Sequence, residues 1–577
     1  MYTSKLRLEL TTVIALLLLV GCQQSSHEID EKVQSVANGS NTTASFNWFE
    51  YSGNDDVFSM PHKSGQYQNP IVSGFYPDPS ITRKGDDYYM AVSSFAYAPG
   101  VPILHSKDLV NWSLVGHALT RESQISMQGR SVSEGIYAPT LRYHKGLFYM
   151  ITTEVYGKGN FFVTATDPAG EWSEPNLLPE VGGIDPDIFF DDDGKVYITH
   201  NNGPEGEPLY NGHRAIWMWE YDLAAKKIVA ESGRVIVNGG TDLAKQPIWI
   251  EAPHVYKING WYYLLCAEGG TGYDHSEVVF RTRSLSEPFE PYVNNPILTQ
   301  RDLDIDRVNP ITTAGHADIV QTAEGDWWAV FLATRAYDKT FYNTGRESFL
   351  LPVSWENDWP HILPQGRAIP YLLAKPAIKN HDAIDQEPLT GNFSWRDDFV
   401  SSQLNLHWNV LRTVNRDWLT LNNGQLSLDA SAVALRDNQQ PAFIGRRQQH
   451  MKYEAKTSLT LSANQQFSAG LVAFQNEKYH YYMGVKKDSG DYQIFLEQVK
   501  GGVTSILQSQ NFTANAGDEV QLIMSGDKAD ISFAYQIGDG APQSLVKHAD
   551  GKMLSTAIAQ GFVGTMLGLH SRLENNQ

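Results

Sequence analysis

One local pattern recurs five times in the first two-thirds of the sequence and limits the fold more than any other feature. Each copy is a turn followed by a strand-like, aromatic-rich run: KGDDYYMAV (84–92), KGLFYMITT (145–153), DGKVYITHN (193–201), NGWYYLL (259–265) and EGDWWAVFL (324–332). The aromatic positions of successive copies lie 60, 48, 66 and 65 residues apart, enough for about four strands each. With little helical periodicity, the repeat predicts an all-β fold beginning with a five-bladed β-propeller over residues 46–380. A sandwich of about ten or more strands is the alternative.

A second regularity concerns the residues that stand eleven or twelve positions before these aromatic residues. They head five similar short motifs and are Asp78, Tyr137, Asp185, Glu251 and His316. Equivalent positions on the innermost strands of a propeller line its central channel, so the five side chains are expected to converge. A single Asp-Pro pair is usually an ordinary turn. Three acids at one register are different, because burying them together costs several kcal/mol per uncompensated charge. We therefore expect chemistry, a metal ion, or both at this place.

Two Asp and one Glu suit the hydrolysis of a glycosidic bond. A protonated carboxyl donates to the leaving oxygen, and an ionised carboxylate acts on the opposite face of the sugar. A third carboxylate beside the acid raises the pKa of that acid and keeps it protonated near neutral pH.

Several motifs in their order along the chain resemble glycoside hydrolase family 43, and most of all its β-xylosidase and α-L-arabinofuranosidase branch. The resemblance covers about residues 69–375, and its motifs are YPDPS, GIDPD, IEAPHVY, GHADIV and GRES. It implies a propeller enzyme that inverts the anomeric carbon. In that case Asp78 is the general base, Glu251 the general acid, and Asp185 the residue that orients the acid and adjusts its pKa.

The resemblance also implies roles for other pocket residues. Arg346 in GRES would reach the sugar hydroxyls and Asp185, while Phe95 and Tyr137 would form walls of the sugar subsite. Tyr137 departs from the tryptophan that is common in this motif. His316 would either help to hold a hydrated Ca²⁺ on the propeller axis or only form hydrogen bonds within the pocket. No cofactor is expected to be required.

The last third of the chain, residues 390–577, has short alternating runs separated by turns, which predicts an antiparallel β-sandwich. It resembles the lectin-like jelly roll appended to family xylosidases. In some relatives, a phenylalanine from a segment like GFVGTMLGLHS (561–571) closes the pocket, and here Met566 is expected at that place. Structural support and independent carbohydrate binding both remain open as roles for this part.

The amino terminus predicts export. Lys5 and Arg7 precede a short apolar stretch that ends in Leu19-Val20-Gly21-Cys22. This resembles a bacterial lipobox, so residues 1–21 are expected to be a lipoprotein signal peptide, with lipidation at Cys22. Residues 22–45 predict a flexible tether, and the protein is expected to be anchored to a membrane of the bacterial envelope. An ordinary signal peptide with a chance cysteine is the alternative. The other cysteine, Cys266, is expected to be buried.

A formal net charge of −20 gives no basis for binding nucleic acid. The leading hypothesis is an exo-acting, inverting glycoside hydrolase that releases xylose or L-arabinofuranose from the non-reducing ends of xylan- or arabinan-derived oligosaccharides. Two alternatives stay open: an endo-arabinanase, and a non-catalytic surface lipoprotein that binds glycans.

Overall fold

The computed structural model describes residues 42–379, 387–463, 466–488 and 490–574. Within them the chain is all-β, as predicted, and every paired strand runs antiparallel to its neighbours. Two strands precede the first of the larger sheets: β1 (Thr43–Gly53) and β2 (Gln66–Gln68). The few helical segments in the described ranges are short: Asp56–Ser59, Leu243–Lys245, Gly551–Leu554 and α1 (Thr556–Ala559).

Five antiparallel sheets of four or five strands follow one another along the chain. The first contains β3 (Ser80–Lys84), β4 (Asp87–Ala91), β6 (Gly100–Ser106) and β7 (Trp112–Leu119), with the separate short strand β5 (Tyr97–Ala98) between β4 and β6. The second contains β8 (Gly135–His144), β9 (Leu147–Val155), β10 (Gly159–Ala165) and β11 (Asn176–Leu177). The third contains β12 (Ile184–Phe190), β13 (Val196–Asn202), β14 (Ala215–Asp222), β15 (Lys227–Ile228) and β16 (Arg234–Asn238).

The fourth and fifth sheets pair their successive strands in the same way as the first three. The fourth contains β17 (Glu251–Ile258), β18 (Trp261–Glu268), β19 (Ser276–Thr282), β20 (Glu290–Pro291) and β21 (Leu298–Thr299). The fifth contains β22 (Ile311–Gln321), β23 (Trp327–Arg335), β24 (Glu347–Glu356) and β25 (Trp359–His361), and β26 (Leu372–Ala374) then pairs with β2. The repeated aromatic run forms the second strand of each sheet, where its apolar side chains pack between neighbouring sheets.

The first strands of the five sheets, β3, β8, β12, β17 and β22, contact one another in succession, and β22 contacts β3. We call these strands the inner ring. Side chains of one strand bind backbone N–H groups of the next: Ser80 Oγ accepts from Leu141 (3.0 Å), Asp187 from Val255 (3.0 Å), Tyr256 Oη from Ile319 (3.0 Å) and Asp318 from Ile81 (3.0 Å). These hydrogen bonds fix the first strands against each other, so the side chains that point into the ring have defined positions.

The C-terminal part is an antiparallel sandwich, as predicted. One sheet combines β1 with β27 (Phe393–Asp397), β29 (Leu419–Asn422), β30 (Gln425–Asp429), β32 (Lys452–Thr460), β37 (Glu519–Asp527), β38 (Asp530–Ile537) and β39 (Gln543–Asp550), while β28 (Val410–Leu411) pairs with β5. The other contains β31 (Ala442–Arg447), β33 (Phe467–Asn476), β34 (Tyr479–Asp488), β35 (Asp491–Lys500), β36 (Val503–Phe512) and β40 (Met566–Leu573).

The strand β1 differs from the domain bounds expected from the sequence. It was placed partly in a tether ending at residue 45 and partly in a propeller starting at 46, yet it pairs with β27, β30 and β32 of the sandwich. The physical reason is its alternating pattern, because Phe46, Phe49 and Tyr51 are buried in the sandwich core.

A buried ionic cluster joins the fifth sheet to the sandwich. Arg335 on β23 donates from Nε and Nη2 to Glu347 (2.7 and 2.9 Å) and from Nη1 to Asp55 (2.6 Å). Asp55 follows β1 and also accepts from the backbone N–H groups of Met451 and Lys452. The sandwich is therefore bound to the start of β24, the strand that directly follows Arg346.

The two cysteines and the amino-terminal segment were also the subject of expectations from the sequence. Cys266 is buried in β18, as predicted. Residues 1–41, with the predicted signal peptide 1–21, Cys22 and most of the tether, lie outside the described residues. Among the helices of the described ranges, none has the length and apolar character to cross a membrane.

Candidate active site

The five residues aligned by the repeat lie where the backbone conformation or the strand pairing of the inner ring is irregular. In four of its strands the pairing register shifts at the equivalent place: Tyr137/Thr140, Ile184/Asp187, Glu251/His254 and Gly315/Asp318. Such bulges re-aim side chains and are common beside active sites. Asp78, Asp185 and His316 also share a left-handed backbone, with φ of 54°, 56° and 56°. That conformation is unfavourable for residues other than glycine, so these positions store strain.

Asp78 is buried and paired with a cation. Arg346 Nη1 donates to its Oδ1 at 2.6 Å and Nη2 donates to its Oδ2 at 3.4 Å, while the Ser93 hydroxyl also donates to Oδ2. The Nδ1 atom of His316 lies 3.7 Å from Oδ1. An ionised Asp78 held in this way has a fixed orientation and can accept a proton from a water molecule.

Asp185 is bound to the strand that carries Glu251 and lies within electrostatic range of Asp78. It is buried, and its Oδ2 accepts from the backbone N–H of Ala252 at 3.1 Å, directly beside Glu251. Burial and the charge of Asp78 raise the pKa of Asp185 to about 7, against the opposing effect of that N–H. Asp185 thus holds the backbone that carries the acid and adds negative charge near it when ionised.

Glu251 begins β17 and is only partly buried, unlike Asp78 and Asp185. Desolvation raises the pKa of Glu251 well above its ordinary value, and the charges of Asp185 and Asp78 raise it further. The guanidinium groups of Arg346 and Arg214 oppose that shift. A carboxyl with a raised pKa that reaches a partly open site has the properties that a general acid needs.

Arg346 lies in the site as predicted, but its partners differ from those expected. It binds Asp78 rather than Asp185, and Nη1 also donates to Thr271 Oγ1 at 3.1 Å. Its Nη2 donates to the backbone carbonyl of Phe562 at 3.4 Å. One arginine therefore links Asp78 to the C-terminal sandwich.

Three aromatic rings form a wall beside this arginine. The rings of Phe95 and Tyr137 have centroids 4.9 Å apart. Phe562 stacks on Phe95 (5.9 Å, 19°) and meets Tyr137 edge-on (5.7 Å, 72°). The guanidinium of Arg346 lies 5.7 Å from the ring centroids of both Phe95 and Phe562. Phe95 is only 1% exposed, so the ring faces that can meet the C–H face of a sugar are those of the half-buried Tyr137 and Phe562.

The expectation for Met566 was wrong. Met566 is buried on β40 among apolar side chains of the sandwich, and Phe562, four residues earlier, reaches the site instead. The chain approaches closely here because Gly561 has a φ of 80° and a side chain on it would collide with Ser133. The signal in the sequence was the GFVG run itself, in which glycines flank the aromatic residue.

His316 is buried next to Asp78, and desolvation lowers the pKa of His316 to about 3, so the ring is neutral. A neutral ring can form a hydrogen bond in the pocket without adding charge.

A second layer of ionisable groups lies further along the same strands, and sequence reasoning missed it. Asp187 and Asp318 follow Asp185 and His316 by two residues. Arg142 Nε pairs with Asp187 (3.1 Å) and Nη1 pairs with Asp318 (2.7 Å), and both carboxylates are fully buried. Arg142 Nη2 also lies 3.1 Å from His254 Nδ1. The Ser80 and Tyr256 hydroxyls donate to Asp318. The register that placed Asp185 and His316 would also have placed Asp187 and Asp318.

This layer bears on whether Ca²⁺ fits near His316. Ca²⁺ takes six to eight oxygen ligands. The carboxylates beneath His316 are already bridged by the Arg142 guanidinium, and Asp78 is paired with Arg346. Within the residues that the structure describes, no group of three or more His, Cys, Asp or Glu side chains is arranged to hold a metal ion. The donor set therefore does not fit a Ca²⁺ bound directly by the protein.

Comparisons with known proteins agree with this geometry. Relatives include a protein from Butyrivibrio fibrisolvens described as a xylosidase/arabinosidase, 38% identical over 87% of this chain and 95% of its own length. A second, described as a non-reducing end alpha-L-arabinofuranosidase from Bacteroides ovatus, is 34% identical over 88% of this chain and 91% of its own length.

Solved structures give the same result. A family 43 protein from a capybara gut metagenome superposes with a TM-score of 0.86 at 39% identity, covering 92% of this chain and 99% of its own. A xylan beta-1,4-xylosidase from Bacillus halodurans has a TM-score of 0.80 at 32% identity, covering 89% and 97%. The model of a beta-xylosidase C-terminal concanavalin A-like domain matches residues 396–576, and the model of glycosyl hydrolases family 43 matches residues 67–360. The chain therefore belongs to glycoside hydrolase family 43.

Proposed function

We propose that the protein is an exo-acting, inverting glycoside hydrolase that releases xylose, L-arabinofuranose, or both from the non-reducing ends of xylan- or arabinan-derived oligosaccharides. One observation carries the proposal: the partly exposed Glu251, whose pKa is raised, lies within electrostatic range of Asp78, which is ion-paired with Arg346. A proton donor and an ionised acceptor in one site are the pair that a single-displacement hydrolysis requires.

The residues would share the reaction as follows. Asp78 removes a proton from water as the water oxygen attacks the anomeric carbon. Glu251 gives its proton to the leaving oxygen as the carbon–oxygen bond breaks, and the configuration of the anomeric carbon inverts. Asp185 holds the backbone beside Glu251 through the Ala252 N–H and keeps the pKa of the acid high. Arg346 orients Asp78 and offers N–H groups to sugar hydroxyls.

Exo action is supported by the wall that closes one side of the site. Phe562 comes from the sandwich and packs on Phe95 and Tyr137, which leaves little room for a polysaccharide chain to continue past the terminal sugar. An endo-arabinanase needs an open groove. The non-reducing end activity in the name of the Bacteroides ovatus relative supports the same reading. The acids with raised pKa values argue against a protein that only binds glycans.

We also propose that the five sheets are the blades of a five-bladed propeller, supported by the closed succession of contacts among the inner-ring strands. In this arrangement Arg142 supplies the positive charge on the axis below the acids. We accordingly propose that activity does not require Ca²⁺. The sandwich acts in this proposal as structural support that also contributes Phe562.

For location, we propose export and lipidation at Cys22, from the lipobox-like end of the apolar stretch. Metabolic labelling of the expressed protein with a radioactive fatty acid tests it, with Cys22→Ser as the matched variant. Label in the wild type and none in the variant is the expected result, and equal label in both would refute lipidation at this residue.

The activity is tested by assaying aryl β-xyloside and aryl α-L-arabinofuranoside, each with and without a Ca²⁺ chelator, and by following the first-formed sugar by NMR. We expect hydrolysis of at least one substrate, no effect of the chelator, and release of the inverted anomer. Inactivity on both substrates would overturn the substrate class. Release of the retained anomer would overturn the roles given to Asp78 and Glu251.

A further inference from the structure

An exposed tryptophan lies beside the candidate acid. Trp249 stands two residues before Glu251 and is 39% exposed, whereas Ile250 between them is fully buried. A single exposed aromatic residue on a protein surface needs no explanation. This one is singled out by its place next to the proton donor and by how firmly its backbone is held.

The backbone of Trp249 is strained, and the peptide group before it is held by two hydrogen bonds. Its φ is 53°, in the left-handed region that a bulky residue rarely adopts. Its N–H donates to the carbonyl of Gly212 at 2.9 Å, and the carbonyl of Ile248 accepts from the N–H of Gly269 at 2.9 Å. The residues Gly212 and Gly269 therefore hold the backbone that carries the ring. Strain of this kind is found where the surrounding structure enforces it, often at ligand sites.

Arg214 covers one face of the ring. Its guanidinium lies 5.0 Å from the ring centroid of Trp249, and Nε and Nη2 both donate to Asn201 Oδ1 (3.2 and 2.8 Å). The Asn201 amide in turn donates to the Ile250 carbonyl, directly before Glu251. In the described part of the chain, Arg214 Nη1 has no hydrogen-bond acceptor, so this end of the guanidinium can bind a hydroxyl of a ligand.

The pair lies on the acid's side of the site. Burial lowers the pKa of Arg214, and the charges of Glu251 and Asp185 oppose that shift. Phe95 and Phe562, by contrast, lie with Arg346 on the side of the base. The leaving oxygen must be within reach of Glu251 when it is protonated. The sugar that carries this oxygen must then extend beyond Glu251, toward Trp249.

We propose that Trp249 and Arg214 form the binding site for the leaving-group sugar, with the free face of the indole against the C–H face of a pyranose ring and Arg214 Nη1 donating to one of its hydroxyls. This inference rests on the proposed function. The site recognises the sugar from which the terminal residue is cleaved, and so sets which linkages and backbones are accepted.

The test compares two substrates that carry the same terminal sugar: a disaccharide and the methyl glycoside. Both need protonation of the leaving oxygen, but only the disaccharide has a ring to place on Trp249. We expect Trp249→Ala to lower kcat/KM for the disaccharide by about ten- to a hundredfold and to change it for the methyl glycoside less than about threefold. Trp249→Tyr, which keeps an aromatic face, should recover most of the loss.

A matched control exists in the sandwich, where Arg396 lies 4.4 Å from the ring centroid of Trp48. Trp48→Ala removes the same kind of stacked pair far from the acid and should leave both substrates unaffected. An equal loss on both substrates in Trp249→Ala, or no loss on either, would overturn the inference. A wild-type enzyme that cleaves neither substrate would instead overturn the proposed function on which the inference rests.

Discussion

Two layers of acidic side chains lie on or next to the inner-ring strands, and their surroundings shift the pKa values of the two layers in opposite directions. In the upper layer, burial and neighbouring negative charge raise the pKa values of Asp185 and Glu251. In the lower layer, burial also acts to raise the pKa values, but the charge of Arg142 opposes it and, together with His254 and the hydrogen bonds to the carboxylates, outweighs it. The pKa of Asp187 is held below its ordinary value, and that of Asp318 is lowered to about 2.

We interpret the difference as a division between a layer that serves stability and a layer that serves the proposed reaction. A fold selected only for stability would give each buried carboxylate a cation, as Arg142 does for the lower layer. In the upper layer Arg346 is ion-paired with Asp78, and the pKa of Glu251 stays raised in spite of Arg346 and Arg214. The strain of the left-handed backbone at Asp78 and Asp185 occurs in that layer too. Substitutions can test whether this division is real.

The largest effect is expected at Asp78. Asp78→Ala removes the group that activates water, so kcat should fall by about 10⁴-fold for good and poor leaving groups alike. Steady-state kinetics with a nitrophenyl glycoside and a disaccharide measure it. Activity that survives on the activated substrate would assign the base to another residue.

Glu251→Ala should separate the two kinds of substrate. Loss of the proton donor is expected to cost about 10³-fold on a disaccharide and less than about tenfold on a dinitrophenyl glycoside, whose leaving group needs little protonation. Rates with a series of aryl glycosides of different leaving-group pKa give the slope. A slope equal to that of the wild type would contradict the role of general acid.

In the lower layer, the effect is expected in stability. Arg142→Met leaves Asp187 and Asp318 buried without their cation, so the free energy of unfolding should fall by at least about 3 kcal/mol. Denaturant unfolding measures it. The control is Lys195→Met, which removes an exposed pair with Glu220 (2.8 Å) and should leave the free energy of unfolding nearly unchanged. Similar losses in the two variants would mean that the lower layer contributes little.

Phe562→Ala tests the contribution of the sandwich. Loss of the ring that packs on Phe95 and Tyr137 should lower kcat/KM by about tenfold or more, since a stacked aromatic contact and its buried area are removed. Met566→Leu, a change inside the sandwich core, should leave kcat/KM unaltered. A larger loss in Met566→Leu would restore the expectation that was drawn from the sequence.

The smallest effect expected is a shift in the pH profile. Glu251 acts while protonated, so kcat/KM falls as pH rises through its raised pKa. Asp185 and Asp78 raise that pKa, and Arg346 and Arg214 lower it. Arg214→Met removes one lowering charge, so the basic limb should move to higher pH. The profile is best measured with a methyl glycoside, and a shift to lower pH would contradict the assignment of this limb to Glu251.

The acids could be predicted from the sequence because they follow a repeat. The same number of residues separates Asp185, Glu251 and His316 from the aromatic residue of their own repeat. The three residues therefore occupy equivalent positions in their sheets. The fold class followed from the same repeat. The lower layer was within reach of this reasoning too, since Asp187 and Asp318 lie two residues further on the same strands.

Other features could not be found in this way because they depend on contacts between distant parts of the chain. Phe562 meets Phe95 across more than four hundred residues, with no periodicity to relate them. The pairing of β1 with β32 is equally distant. The choice of Asp78 rather than Asp185 as the partner of Arg346 depends on side-chain geometry alone.

The division between the two layers is tested most directly by Asp185→Asn and Asp187→Asn, two equal changes at neighbouring positions on β12, each measured for kcat/KM and for the free energy of unfolding. Asp185→Asn should lose activity by about 10²-fold or more, with unfolding unchanged to within about 1 kcal/mol. Asp187→Asn should lose about 3 kcal/mol of stability while its folded fraction keeps kcat to within about tenfold. The reverse pattern, with Asp187→Asn inactive but stable and Asp185→Asn active but unstable, would contradict the assignment of catalysis to the upper layer.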